Sequence, residues 1–161
     1  GVDPALLDLI ARLAQRLRDR GWTMASAESC TGGLIAAACT ELGGSSDWFE
    51  RGFVTYSNQA KTDMLGVSAE LIRDHGAVSE PVARAMASGA VSHSLARCAL
   101  AVTGVAGPTG GSADKPVGTV WFGWSTPAGV FAERQRFNGD RAAVRRASVA
   151  HALGGLLQRL P

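Results

Sequence analysis

The sequence predicts an α/β fold, a single three-layer α/β/α domain with a mixed β-sheet spanning residues 1–161. Three observations predict it. Short apolar runs alternate with amphipathic stretches through the first hundred residues, the order that builds parallel strands with crossover helices. Two runs of strand character, 119–125 and 130–137, flank the turn residues Thr126-Pro127-Ala128-Gly129, which adds an antiparallel pair. The chain has no internal repeat, linker or composition shift to divide it, and 161 residues suffice for one core.

The elements follow in order. Asp3 is a fair N-cap, Pro4 suits a first helical turn, and Leu6, Leu7, Ile10, Leu13 and Leu17 form one apolar stripe that ends near Arg18, Arg20 and Gly21. Residues 22–27 read as a short buried strand. The small residues of AESCTGG turn the chain into a helix over 34–42, and Gly43-Gly44-Ser45-Ser46 breaks it. Residues 49–56 are a second strand, 57–65 a turn and short helix, and 68–74 another short helix. Ser79 caps a long helix over 80–96 with Pro81 in its first turn, and 99–102 form a strand ending at Thr103-Gly104. A glycine-rich loop runs over 104–118. After the hairpin, Asp140 leads into a last helix over 141–160.

Composition excludes several classes. Sixteen basic and fourteen acidic residues leave a net charge of +2, too small for a generic nucleic-acid or membrane-surface binder. No run of ~18 apolar residues exists to span a bilayer, and the charged amphipathic start is not a signal peptide. Three cysteines, Cys30, Cys39 and Cys98, form no CxxC pair. A disulfide framework is therefore a poor reading, and a reducing, cytoplasmic compartment is expected. His75, His93 and His151 are scattered without HxH or HxxxH spacing, so no metal site is expected.

Four constellations can carry chemistry. Glu28-Ser29-Cys30-Thr31-Gly32-Gly33 lies where a strand ends and a helix begins, the place where open α/β sheets collect ligands. A hydroxyl there can attack a carbonyl whose oxyanion backbone N–H groups hold, or Ser29 or Thr31 can simply cap the helix. Cys30 reads as a thiolate nucleophile or, more in keeping with its residue type, as a small buried side chain. Tyr56-Ser57-Asn58-Gln59-Ala60-Lys61 also follows a strand. Lys61 is a general base only if burial depresses its pKa, since ~1 in 2,500 ordinary lysines is neutral at pH 7. Its other reading is a solvated lysine, and that of Tyr56 a core ring with a wet hydroxyl.

The loop over 104–118 has neither P-loop nor GxGxxG spacing, so triphosphate hydrolysis and dinucleotide binding are weakly supported. Gly104, Gly107, Gly110 and Gly111 still let backbone approach a ligand, and so long a loop is uncommon as an idle connection. Arg141 and Arg145 share a face of the last helix, either as a phosphate clamp or as an exposed basic turn.

Six blocks in order are similar to one family: AESCTGG (27–33), WFERGFVTYSNQAK (48–61), HGAVSEPVA (75–83), TGVAGPTGG (103–111), KPVGTVWFG (115–123) and GDRAAVRR (139–146). Together they resemble the CinA C-terminal domain family, the nicotinamide mononucleotide deamidases also called PncC. The resemblance implies hydrolysis of the carboxamide of nicotinamide mononucleotide to nicotinic acid mononucleotide and ammonia, without metal or other cofactor, by a cytoplasmic homo-oligomer, a dimer. It implies Ser29 as nucleophile with Tyr56 and Lys61 as partners in proton transfer. Thr103 and Gly104 fall in the substrate pocket, and Arg141 and Arg145 are natural phosphate ligands. The large N-terminal domain of two-domain members is not among these residues, so its activities are not carried over.

Combined with the residues, this gives one expected mechanism. Lys61, directly or relayed through Tyr56, takes the proton of Ser29, and N–H groups of Cys30, Thr31 and Gly32 hold the oxyanion. The competing reading is a non-catalytic nucleotide- or phosphate-binding module using the glycine-rich loop and Arg141/Arg145. A role in DNA uptake or repair fits the near-neutral charge poorly.

Overall fold

The computed structural model describes residues 2–161. Five strands form one mixed open sheet in the order β2-β1-β3-β4-β5. They are β1 (Met24–Glu28), β2 (Phe49–Val54), β3 (Cys98–Gly104), β4 (Thr119–Thr126) and β5 (Gly129–Arg136). β1 runs parallel to β2 and β3, and β4 runs antiparallel to both β3 and β5. The helices are α1 (Pro4–Arg20), α2 (Leu34–Cys39), α3 (Asn58–Leu65), α4 (Ala69–His75), α5 (Glu80–Ser92) and α6 (Arg141–Arg159), with a 3-10 turn over Ser45–Asp47.

The apolar pattern of each helix decides its layer. The stripe of α1 buries Ile10, Leu13 and Leu17 completely, in one core with Ile35 of α2 and Val144, Leu153 and Leu156 of α6. On the opposite face Leu65 of α3, Ile72 of α4 and Val82 and Met86 of α5 pack against Ala25, Ala27, Ala99 and Ala101 of the sheet. Full burial of each large aliphatic side chain stabilises the fold by ~1.5–3 kcal/mol. The expected three layers are thus present. The indole N–H of Trp124 in β4 donates to Ala152 O at 2.9 Å, which docks α6 onto the sheet.

Topology places the site. The chain leaves β1 through α2, on the face of α1 and α6. It leaves β2 through α3, α4 and α5, on the other face. Adjacent strands whose connections part to opposite faces open a crevice at their C-terminal ends. Glu28 pairs in register with Val54 and with Val102, so the turns after β1 and β2 and the loop after β3 leave from one edge.

β2 ends at Val54 and β3 extends over Cys98–Gly104, and three further boundaries differ from expectation, each for a local reason. β1 begins at Met24, because Trp22 lies half-buried between the guanidiniums of Arg20 and Arg97, 5.9 and 5.8 Å from its ring centre. α2 ends at Cys39, where the Thr40 hydroxyl takes the carbonyls of Ala36 and Ala37. α5 ends at Ser92, because the Ser92, His93 and Ser94 side chains bond to carbonyls of the last helical turn. Side chains that satisfy terminal carbonyls offer the backbone an alternative to further helix. Ser79 occupies the N-cap of α5, but its hydroxyl donates back to Gly76 O at 2.8 Å instead of accepting from the helix.

Candidate active site

The turn over Ser29–Gly33 begins as an extension of β1, with Ser29 N–H donating to Val102 O at 3.0 Å. Gly32 and Gly33 then adopt φ of +56° and +106°, a path that side-chain-bearing residues resist. Neither Ser29 nor Thr31 caps α2. Its N-cap is Gly33, and the cap is supplied by Glu28, whose carboxylate accepts from Ile35 N–H at 2.9 Å and Ala36 N–H at 3.0 Å. The Thr31 hydroxyl donates to the same carboxylate at 2.6 Å. Residue spacing alone gave no sign of this role for Glu28, because the accepting carboxylate precedes the turn rather than sitting at the N-cap.

The turn after β2 carries the second component. Thr55 N–H donates to Glu28 O at 2.8 Å, so the two turns start side by side. Ser57 caps α3 by accepting from Ala60 N–H at 3.0 Å. The first turn of α3 directs Lys61 back beneath the strand end, where it is 1% exposed. Its Nζ lies 3.1 Å from Ser29 Oγ, 2.9 Å from Thr55 O and 3.2 Å from Tyr56 O. No carboxylate pairs with it among the described residues. Burial pushes its pKa below the ordinary lysine value. In this arrangement Nζ donates to the Ser29 hydroxyl and to the two carbonyls; once deprotonated, the amine can keep both carbonyl bonds and turn its lone pair to Ser29 Oγ.

Tyr56 enters differently from expectation. Its backbone carbonyl touches Lys61, while the residue is 64% exposed at the crevice rim. Lys61 meets Ser29 without a phenol between them. Cys30 is buried, and burial pushes its thiol up to about 11, so it is protonated near neutral pH.

Ser29, Cys30 and Tyr56 line a crevice of about 370 Å³, closed by Gly104, Val105, Ala106, Gly107, Thr109 and Gly110 of the glycine-rich loop and by Arg141 of α6. Of the residues expected at the substrate, Cys30, Gly104 and Arg141 therefore line it. Thr31, Gly32, Thr103 and Arg145 do not. The Thr103 hydroxyl donates to Ala77 O at 3.0 Å. Arg145 stands behind the nucleophile turn, donating from Nε to Cys30 O at 3.1 Å and from Nη2 to Thr31 O at 3.3 Å. Arg141 donates to Gly107 O at 2.8 Å and so ties the loop to α6. The N–H of Gly32 is spent on Ser29 O at 3.0 Å, while those of Cys30, Thr31 and Gly33 bond to no other residue among the described ones. Those residues contain no cluster of three or more His, Cys, Asp or Glu side chains able to hold a metal ion.

Fold and site together define an open-sheet α/β protein with a serine–lysine pair at a polar crevice. The CinA C-terminal domain profile matches residues 7–160, and the chain belongs to that family. It is 52% identical over 158 residues to the nicotinamide-nucleotide amidohydrolase PncC of Escherichia coli (strain K12), covering 98% of this chain and 96% of that one. It is 55% identical over 157 residues to the protein of the same name from Pseudomonas putida, covering 98% of each. Among solved structures, the competence/damage inducible protein CihA from Agrobacterium tumefaciens superposes with a TM-score of 0.94 at 45% identity, covering 98% of both chains.

Proposed function

We propose that this protein is an amidohydrolase that cleaves the carboxamide of nicotinamide mononucleotide, with Ser29 as nucleophile and Lys61 as general base. The observation that carries the reading is the 3.1 Å approach of a buried, carboxylate-free lysine to the hydroxyl at the mouth of the crevice. The names of the full-length relatives supply the substrate.

In this mechanism neutral Lys61 takes the Ser29 proton as Oγ attacks the carboxamide carbon. Unspent N–H groups of the turn, those of Cys30, Thr31 and Gly33, are the candidates to hold the oxyanion. The Lys61 ammonium returns the proton to the leaving nitrogen, and ammonia departs. Water then attacks the nicotinoyl ester, its proton passing through Lys61 to Ser29, and the acid is released. The Tyr56 ring stands at the rim, where its phenol can meet substrate, and Arg141 is the cation available to the phosphate. Binding energy from that remote phosphate fixes the ring near Ser29.

Three unpaired, buried cysteines fit a reducing cytoplasm, where the salvage of pyridine nucleotides would run. A homodimer is the assembly we expect, to be read by light scattering. The deciding experiment is ammonia release from nicotinamide mononucleotide beside nicotinamide riboside, with and without a chelator. Release from the nucleotide alone, unaffected by chelator, is the expected result. No release from either compound would leave a non-catalytic phosphate-binding module as the better reading.

A further inference from the structure

We infer that Glu28 is a positioning residue that sets the reactivity of Ser29 by clamping both ends of its turn. The inference rests on Ser29 being the attacking group. Glu28 is the last residue of β1 and is 1% exposed. Its Oε1 accepts from the Thr31 hydroxyl at 2.6 Å and from Ile35 N–H at 2.9 Å, and its Oε2 accepts from Ala36 N–H at 3.0 Å. No cation pairs with it among the described residues. A buried charge held only by neutral donors is an expensive way to cap one short helix, since a serine or asparagine at the N-cap does so without burying a charge.

The placement explains the choice. A residue at the N-cap would hold the helix alone, whereas Glu28 reaches across the intervening turn and ties its start to its finish. The backbone from Glu28 to Ile35 becomes a closed ring with Ser29 inside it. Within that ring the Gly32 N–H is committed to Ser29 O, and the N–H groups of Cys30, Thr31 and Gly33 stay unspent. The carboxylate faces α2 rather than Lys61, so it is not a counter-ion that would hold the amine protonated.

Glu28→Gln keeps the shape but turns one acceptor into an NH₂ facing a backbone N–H, donor against donor. Below its own melting temperature, this variant is expected to lose ~10–100-fold in kcat, since misplacing a reacting atom by 1 Å can cost ~100-fold. KM should stay within about threefold of wild type, and the pH at which activity rises should not move. A fluorophosphonate, whose phosphorus takes Ser29 Oγ as fluoride leaves, reads the nucleophile independently of the nucleotide. Its labelling of Ser29 should slow by a similar factor. A folded Glu28→Gln protein with wild-type labelling and kcat would mean that the carboxylate only caps a helix, and the inference would fall. Should Glu28→Gln not fold, Thr31→Val removes one bond of the clamp. Slower labelling, restored in Thr31→Ser, supports the inference, and unchanged labelling overturns it. Slowed labelling of Glu28→Gln in a protein that releases no ammonia from nicotinamide mononucleotide would keep Glu28 in this role while the substrate reading fell.

Discussion

Arg145 and Cys30 lie 115 positions apart in the chain, yet the guanidinium Nε of one donates to the carbonyl oxygen of the other at 3.1 Å. The peptide group is planar and trans, so holding the Cys30 carbonyl fixes the Thr31 N–H in the opposite direction. A helix from the end of the chain thereby orients backbone at the nucleophile. Arg145→Ala should lower kcat by ~10-fold or more and change KM less, whereas Arg141→Ala, at the crevice wall, should chiefly raise KM. Steady-state kinetics on the two variants decide it. A pure KM effect at Arg145 would make it a direct phosphate ligand after all.

Ser29→Ala should abolish ammonia release while the protein still binds nicotinamide mononucleotide, as measured by calorimetry. Cys30→Ala should retain most activity, because a thiol held up to about 11 by burial supplies little thiolate near pH 7. The reverse pattern would make sulfur the nucleophile.

Lys61 ties activity to pH and to stability. Burial disfavours its ammonium, so its folded pKa lies below the unfolded value of about 10.4. Between those two values the unfolded chain holds more protons, and stability rises with pH across that window. Below the folded value the cost of burying the amine is fully expressed. Lys61→Met should therefore raise Tm at pH 7, flatten the alkaline rise in stability, and lower turnover by at least ~100-fold. Wild-type activity should climb with pH until Lys61 is neutral. A lysine variant that keeps its rate would sink the base assignment.

Gly104→Ala tests the seam between β3 and the loop. An added Cβ would sit 2.8 Å from Val120 Cγ2 and 3.0 Å from Thr119 O, and the carbonyl belongs to a strand that cannot easily yield. Overpacking of this kind costs ~1–3 kcal/mol, readable in urea unfolding. KM should rise as well, because the displaced residue lines the crevice. An unchanged midpoint would mean that the seam is looser than its distances.

Periodicity and punctuation were enough to read the layers. The stripe of α1, the cap at Asp140 and the antiparallel pair around Thr126–Gly129 all follow from local rules and are present, the turn itself being tighter by the paired Thr126 and Gly129. Helix ends were less legible, since at Thr40 and Ser94 the outcome depends on which carbonyl a hydroxyl selects. In the site, the nearness of Ser29 to Lys61 rested on resemblance, because their separation of 32 residues is bridged only by strand register. The roles of Glu28 and Arg145 were out of reach for the same reason. A glutamate inside a strand and an arginine on a helical face give no local sign of the backbone groups they will hold.

β2 is an outermost strand, bonded to the sheet along one side only, and it delivers Lys61 to a nucleophile that grows from the interior strand beside it. Fraying of a sheet border is the cheapest disturbance such a protein undergoes on warming. Here that disturbance opens the gap between amine and alcohol partners while the hydrophobic layers stay closed. Heat should thus silence the molecule several degrees before it melts, and cooling should restore it.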